Sequence, residues 1–279
     1  MGRTKAVGQN LGKFEALRNV VELDAEDPES LGPLGVLVIG APGSGKTWSL
    51  KSLAFLEGEK IVLDFDRGSR CLSDPRLSGL GFKRVRFGDS LADPVVYPAA
   101  EHYLDQLMED ALSHKRLIAA ICCDSLTNLG RAAMNDILES TGRMGSVPNQ
   151  DDFNIQMNHI QNFLLKVAAF PSAAINILTC HVKRDKDDET GRWINQILTT
   201  GSLRDMIPGF FQEVYFAYRA GEGAESKYLW QTAATKYQIA RTQLGLEDPI
   251  EQDYERLLEI HRTYYNQPQK EEVNAAREE

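Results

Sequence analysis

Residues 40–47 have the sequence Gly40-Ala41-Pro42-Gly43-Ser44-Gly45-Lys46-Thr47, and they join an apolar run at residues 35–39 to a helix-forming stretch that begins at Trp48. A buried strand, a glycine-rich loop and the start of a helix, in this order, are the context that a phosphate-binding P-loop requires. Glycines let the backbone turn tightly enough for successive N–H groups to surround a polyphosphate. The first turn of the helix adds its free N–H groups and the positive end of its dipole. The stretch therefore predicts a binding site for a nucleoside triphosphate.

The side chains of this loop predict how the nucleotide is held. Lys46 is expected to reach the β- and γ-phosphates, and the hydroxyl of Thr47 is expected to bind Mg²⁺. The predicted nucleotide-binding residues are Gly40, Ala41, Pro42, Gly43, Ser44, Gly45, Lys46, Thr47 and Trp48.

Composition and charge restrict the class of protein. The 279 residues are 42% apolar and 25% charged, which is ordinary for a globular protein with a large core. The net charge of −9, from 31 basic and 40 acidic residues, argues against a strongly basic nucleic-acid binder but allows local basic loops. The four cysteines match neither a metal-binding spacing nor a disulfide framework. The sequence shows neither an apolar stretch that could span a bilayer nor the apolar region of a signal peptide. We therefore expect a cytoplasmic protein without membrane contact.

Two further predicted strands end near carboxylates. A strand at residues 60–64 ends at Asp64 and is followed by Asp66. The apolar run at residues 117–123 ends at Asp124, which is the form of a Walker B element, whose aspartate holds Mg²⁺. Ligands of open α/β sheets bind at the carboxyl ends of the strands. We therefore expect these carboxylates at the ligand-binding edge of the sheet.

Another buried strand is predicted at residues 174–181 and ends at His181. A lone histidine is more often structural, but three strands that deliver polar side chains to one edge favour a functional one. Its expected role is to sense the γ-phosphate and change the following loop at residues 182–205. Composition alone slightly favours a solvated hairpin for that loop over a nucleotide-responsive loop that touches a polymer.

The remaining elements follow from periodicity and from glycine and proline positions. They are helices at residues 97–114, 153–170 and 249–265, strands at residues 83–87, 211–219, 228–232 and 237–241, and a mobile loop at residues 140–152. The expected organisation is an N-terminal lead-in (1–30), a core (31–247), a C-terminal helix (248–266) and a flexible tail (267–279).

Five motifs follow the P-loop in a characteristic order. They are Leu63-Asp64-Phe65-Asp66, Cys123-Asp124-Ser125-Leu126-Thr127-Asn128, Leu178-Thr179-Cys180-His181, Thr200-Gly201-Ser202-Leu203-Arg204 and Ile207-Pro208-Gly209-Phe210-Phe211-Gln212-Glu213-Val214. Over about residues 33–245, this order resembles the RecA-like ATPase core. It is most similar to phage-type RecA-like ATPases of recombination and single-strand annealing, which include AAA-type phage nucleotide-binding proteins. The resemblance implies an α/β fold with a mainly parallel central sheet, flanking helices and extra antiparallel strands toward the C-terminus.

The resemblance also implies catalytic roles, with ATP as the nucleotide. Asp66 falls where a carboxylate orients the attacking water, although the family often has Glu there; Asp64 is then a buried neighbour, or the base itself if the register differs by two. His181 falls at the position of the γ-phosphate sensor. The implied catalytic residues are Lys46, Asp66, Asp124 and His181, and the implied Mg²⁺ ligands are Thr47 and Asp124.

Partners are implied in the same way. The loops at residues 140–152 and 183–205 fall where the family contacts DNA, so the resemblance implies single-stranded DNA as a partner. It also implies a homo-oligomer, which is a ring or a filament. The implied compartment is the cytoplasm, which is the host's if the protein is phage-encoded. Lys236 and Arg241 are candidates to reach the γ-phosphate of the next subunit, and a role as exposed strand cations is about equally expected. The basic residues of the two loops are Arg143, Lys183, Arg184, Lys186, Arg192 and Arg204.

Other functions stay open at this point. A helicase loader or a DNA-packaging ATPase would share the ATP site and differ in its partner surfaces. A nucleotide kinase would need an arginine-rich lid, for which residues 67–70 and 83–84 offer cations, but the late strands do not suit a compact kinase. A nucleotide-dependent switch that binds a protein partner would hydrolyse ATP slowly.

Overall fold

The computed structural model describes residues 32–88, 90, 92–186 and 191–266. The expected lead-in (1–30) and tail (267–279) lie outside these residues. Within the described part of the chain, no helix is both long and apolar enough to cross a membrane.

The described residues form ten strands. They are β1 (Leu34–Gly40), β2 (Glu59–Asp64), β3 (Phe82–Val85), β4 (Ile118–Asp124), β5 (Ile175–Cys180), β6 (Val182–Lys186), β7 (Trp193–Ile197), β8 (Glu213–Ala220), β9 (Lys227–Gln231) and β10 (Ile250–Glu251). Eight of them build one sheet in the order β10-β9-β8-β1-β5-β4-β2-β3, while β6 and β7 pair as a separate hairpin. The strands from β8 to β3 are parallel, and β9 is antiparallel to β8 and to β10. The predicted fold class is confirmed.

The helices cover both faces of this sheet. They are α1 (Lys46–Ser49), which continues as a 3₁₀ helix (Leu50–Phe55), α2 (Val96–Leu112), α3 (Leu126–Ser140), α4 (Gln150–Ala168), α5 (Leu203–Met206) and α6 (Tyr254–Asn266). Since successive strand residues point to opposite faces, Leu37 of β1 packs in the core with α2, α3 and α4, and Val36 packs in the core with α6 and the 3₁₀ helix. Burial on both faces explains why β1, β4 and β5 are apolar nearly throughout.

The loop predicted at residues 140–152 is shorter than expected. Helix α3 extends to Ser140, and α4 begins at Gln150 because a capping box fixes its first turn. The side chain of Asn149 accepts a hydrogen bond from the backbone of Asp152 at 3.0 Å, and the Asp152 carboxylate accepts one from the backbone of Asn149 at 2.8 Å. The polar composition that suggested a loop therefore belongs partly to a helix N-terminus.

Two C-terminal predictions were wrong in detail. Residues 237–241 do not form a regular strand, because the carbonyl of Tyr237 accepts its hydrogen bond from Asn195 of the hairpin, and only Arg241 bridges to Val214 of the sheet. The last helix begins at Tyr254 rather than at residue 249, because β10 pairs with β9 before it.

Candidate functional site

The P-loop needs glycine at both of its ends. A Cβ atom on Gly40 would lie 2.5 Å from the carbonyl oxygen of Ala217 and 2.6 Å from Oγ of Ser44. Gly45 has a φ of +95°, and a Cβ there would lie 2.7 Å from the ring of Tyr228. Glycine at these two positions therefore lets the ends of the loop pack closely against β8 and β9, which a side chain would prevent.

Lys46 lies inside this loop. It is 5% exposed, and its Nζ donates to the carbonyl oxygens of Gly40 at 2.8 Å and Ala41 at 3.0 Å. Burial lowers the pKa of Lys46, although the nearby Asp124 acts in the opposite direction. The two carbonyl contacts therefore place Nζ of Lys46 where the P-loop is expected to bind phosphates.

The two predicted Mg²⁺ ligands are in direct contact. Oγ1 of Thr47 donates to Oδ2 of Asp124 at 2.7 Å, and Oγ1 of Thr179 donates to Oδ1 of Asp124 at 2.5 Å. Burial raises the pKa of Asp124, while both hydroxyl groups favour its ionised form. Hydroxyl and carboxylate oxygens are the hard ligands that suit Mg²⁺, and Oγ of Ser44 in the loop is buried without a partner among the described residues. These residues fit a Mg²⁺–nucleotide complex.

Asp64 and Asp66 have different environments. The side chain of Asp64 is fully buried and accepts hydrogen bonds from Oγ of Ser69 at 2.5 Å, from the backbone of Gly68 at 3.2 Å and from Nε of Arg86 at 3.2 Å. These contacts connect the end of β2 to the following segment. Asp66 instead lines the same cavity as Lys46, whereas Asp64 does not, and Asp66 is among the charges that act on Lys46.

Asp66 is held by three side chains. Its Oδ1 accepts from Oγ of Ser125 at 2.5 Å and from Nδ2 of Asn128 at 2.7 Å, and its Oδ2 lies 2.7 Å from Nε2 of His181. Burial alone would raise the pKa of Asp66, but the hydrogen bonds from His181, Ser125 and Asn128 together outweigh it, so the pKa lies below its usual value. Asp66 is therefore an oriented carboxylate at neutral pH.

A cavity of about 390 Å³ brings these groups together. Its lining consists of Pro42, Gly43, Gly45, Lys46, Thr47, Trp48, Asp66, Gly68, Cys71, His181 and Tyr228. Most of the P-loop lines this cavity together with Asp66 and His181. Asp124 is not a lining residue, but it accepts a hydrogen bond from Thr47, which is one. Tyr228 of β9 belongs to a strand that the sequence predicted, but no local pattern assigned it to the site.

Comparison with known proteins places the chain in a family. Residues 33–244 match the family described as AAA domain. The chain belongs to this family. With its P-loop at residues 40–47, it is a P-loop ATPase. No curated protein sequence matches the chain. Among solved structures, it is similar to a KaiC-like protein from the hyperthermophilic archaeon Pyrococcus horikoshii OT3, with a TM-score of 0.41 and 13% identity over 79% of this chain and 89% of that chain.

In this AAA domain, the site continues into hairpin β6–β7. The backbone N–H of His181 donates to Oγ1 of Thr127 at 3.2 Å, and that hydroxyl donates to the carbonyl of Leu198 at 3.2 Å. The backbone N–H of Leu198 donates to the carbonyl of His181 at 2.8 Å. Both ends of the hairpin are thus fixed beside Asp66. The sequence contained Thr127, Asn128 and Thr179 within quoted motifs, but their roles became visible only through these contacts.

The basic residues of the two expected DNA loops are not gathered in one place. Arg143 forms an ion pair with Asp152 of the capping box, and Arg204 donates to the side chain of Gln196. These two side chains connect elements within the AAA domain. The remaining four lie on or beside the hairpin: Lys183, which pairs with Asp185 at 2.7 Å, and Arg184, Lys186 and Arg192.

The two candidates for contact with a neighbouring subunit are also engaged within their own chain. Nη2 of Arg241 donates to the carbonyl oxygens of Pro208 at 2.9 Å and Phe211 at 2.5 Å. Nζ of Lys236 lies 5.0 Å from the centroid of the Tyr237 ring. The side chain of Arg241 therefore connects its own segment to residues 208–211, whereas Lys236 lies at an exposed position beside an aromatic ring.

Proposed function

We propose that this protein is a Mg²⁺-dependent ATPase of the phage-type RecA-like group that acts on single-stranded DNA in recombination or annealing. The observation that carries the proposal is the direct connection between the ATP site and an exposed basic and aromatic hairpin. His181 contacts Asp66 and immediately precedes β6, and the hairpin carries Arg184 and Trp193. The proposed place of action is the cytoplasm, which is the host's if the protein is phage-encoded.

Each residue of the site has a role in this proposal. Thr47 and Asp124 would hold Mg²⁺, which offsets negative charge on the phosphoryl oxygens when bound. Lys46 stabilises charge that develops on the transferred phosphoryl group. Asp66 accepts a hydrogen bond from the attacking water and orients it, and Ser125 and Asn128 keep its carboxylate in place.

The proposed switch uses His181. His181 lines the cavity together with Lys46 and Thr47, and its Nε2 lies 2.7 Å from Oδ2 of Asp66, so that a phosphate gained or lost in the cavity changes the surroundings of its ring. A change at His181 reaches both ends of hairpin β6–β7 through the backbone hydrogen bond between Leu198 and His181. A loop whose two states differ by one phosphate contact is a recurrent form of nucleotide switch.

An assembly of several copies completes the proposal. RecA-like ATPases use a basic residue of one subunit at the γ-phosphate of the next, so we propose a homo-oligomer, either a ring or a filament. The expected result of light scattering is a larger particle with ATP and single-stranded DNA than without them. A monomer under both conditions would contradict this part of the proposal.

The test of the function is ATP hydrolysis with and without single-stranded DNA. We expect strong stimulation by DNA in the wild type and loss of turnover in the Lys46→Ala variant. The proposal is contradicted if turnover is independent of DNA and if no DNA-bound species forms with a non-hydrolysable ATP analogue at low salt. In that case the partner of the hairpin would be a protein.

A further inference from the structure

A groove of about 630 Å³ lies beside hairpin β6–β7. It joins segments far apart in sequence, because the backbone N–H of Asn195 donates to the carbonyl of Tyr237 at 2.7 Å, and Nδ2 of Asn195 donates to Oε1 of Gln238 at 3.1 Å. The lining consists of Arg184, Arg192, Trp193, Asn195, Tyr237 and Gln238. The groove is thus formed by the hairpin together with the segment that follows β9.

Each wall of the groove carries an exposed aromatic ring. Trp193 of β7 is 53% exposed, and Tyr237 of the opposite segment is 44% exposed. The third tryptophan of the chain shows the contrast, since Trp230 is completely buried between Tyr215 and Tyr254. Large rings that remain exposed around one concave surface indicate a binding site, because burying them there would remove apolar area from water.

Both rings are accompanied by cations. Cζ of Arg184 lies 5.3 Å from the centroid of the Trp193 ring, and Nζ of Lys236 lies 5.0 Å from that of Tyr237. The lining, as far as the structure describes it, includes two arginines and no carboxylate. Three acidic residues, at positions 187–189, lie between β6 and β7 in sequence and outside the described residues.

We propose that this groove binds unpaired bases of single-stranded DNA by stacking on Trp193 and Tyr237, with Arg184 and Lys236 attracting the phosphates. Aromatic faces bind any base, and cations beside them follow the backbone, which together give binding that tolerates all sequences. The inference rests on the proposed function, since it names the surface through which DNA acts. It places Lys236 at the DNA of its own subunit rather than at the ATP of a neighbour.

The groove is connected to the ATP site along the full length of the β6–β7 ladder. Trp193 lies opposite Lys186 at one end of the ladder, and Val182, which pairs with Ile197, lies at the other end next to His181. DNA that orders the two strands of the hairpin would therefore restrict His181, which contacts Asp66. Stimulation of hydrolysis by DNA is expected to depend on the groove.

The experiment measures binding of a dye-labelled oligothymidine of about 20 nucleotides to the full chain with a non-hydrolysable ATP analogue, by fluorescence anisotropy. Tyr237→Ala and Trp193→Ala should each weaken binding by about 5- to 150-fold, whereas Tyr237→Phe, which keeps the ring, should stay within about twofold. Lys236→Ala should reduce the slope of log affinity against log salt concentration by about 0.7. The matched control is Tyr264→Ala, an equally exposed tyrosine on α6 outside the groove, which should bind as the wild type does.

The outcomes separate this inference from the proposed function. If the wild type binds the oligonucleotide and both alanine variants bind equally well, the groove is not the binding site, and the proposed function stands. If the wild type binds no oligonucleotide, the groove does not bind DNA, and the proposed function is contradicted as well when ATP hydrolysis is also independent of DNA. Lys236→Ala should raise the DNA concentration that gives half-maximal stimulation of ATP hydrolysis, while the maximal rate of hydrolysis stays that of the wild type. Loss of the maximal rate with unchanged DNA affinity would instead place Lys236 at a neighbour's nucleotide and overturn its assignment here.

Discussion

The ATP site and the groove beside the hairpin hold their functional side chains in opposite ways. In the ATP site, Asp66, Asp124 and Lys46 are buried or half-buried, and each has at least two hydrogen bonds at the ends of parallel strands. In the groove, Trp193 and Tyr237 are exposed and are accompanied by cations over their rings. Because of this difference, we expect a single substitution in the ATP site to have a large effect on activity or stability, since it leaves buried partners unsatisfied. Changes in the second region should have smaller effects, since water can replace what is lost.

The largest expected effect comes from Asp66→Asn. We expect kcat to fall by about 10²- to 10⁴-fold, because an amide cannot orient and polarise the attacking water as a carboxylate does. The melting temperature should fall less than for Asp64→Asn, because the Asp66 side chain is 16% exposed and water can replace part of what its partners lose. Steady-state hydrolysis and thermal unfolding of the same preparation test this. A turnover within tenfold of the wild type would mean that another group acts on the water.

The companion variant, Asp64→Asn, should lower the stability of the protein and leave kcat nearly unchanged. The fully buried carboxylate of Asp64 accepts from Ser69, Gly68 and Arg86, so we expect a loss of about 1–3 kcal/mol of the free energy of unfolding. At about 2–4 °C per kcal/mol, the melting temperature should fall by several degrees, while kcat below the transition stays near that of the wild type. If Asp64→Asn instead abolishes turnover at an unchanged melting temperature, the roles of the two carboxylates are exchanged.

Salt should distinguish the two regions in a single protein. If about three cations of the groove contact phosphates, raising the salt from about 50 to 200 mM should weaken binding of single-stranded DNA by roughly 20-fold. Binding of ATP should weaken much less, because the charge of Lys46 is buried and less screened. Parallel titrations with labelled oligothymidine and with a fluorescent ATP analogue check this. Equal salt dependence for both ligands would show that their charges are equally exposed.

The smallest effect is expected for Gln252→Ala. Nε2 of Gln252 donates to the carbonyl of Ser44 at 2.9 Å and to that of Leu229 at 2.9 Å, which connects the P-loop to β9. Loss of this connection should weaken binding of the ATP analogue by about fivefold, as for one hydrogen bond of ordinary strength. Wild-type affinity in Gln252→Ala would show that the glycines alone fix the loop.

The sequence predicted the ATP site better than the groove, for a physical reason. Strands buried on both faces are apolar without interruption, so β1, β4 and β5 and the polar residues at their ends were visible in the sequence. Thr179 and Asn128 were not assigned roles, because each contacts a carboxylate that is distant in sequence. Trp193 lies within the loop at residues 183–205 to which the sequence assigned a DNA contact, but its partner Tyr237 was interpreted as part of a strand. A backbone hydrogen bond from Asn195 to Tyr237 places Tyr237 beside the hairpin. A contact between residues so far apart in sequence leaves no local sequence pattern.

The contact between Gln252 and the P-loop has a consequence for how the chain is made. The two residues it joins are 208 positions apart, and the strand that carries Tyr228 against Gly45 is also synthesised late. At about 5–20 residues per second, the ribosome needs roughly 10 to 40 s after the P-loop to produce Gln252. During that interval the nascent chain already has its Walker A motif but not the edge of the sheet that supports it. Cellular ATP is therefore expected to bind firmly only after β9 and β10 have emerged, so that nucleotide capture marks the end of folding rather than its beginning.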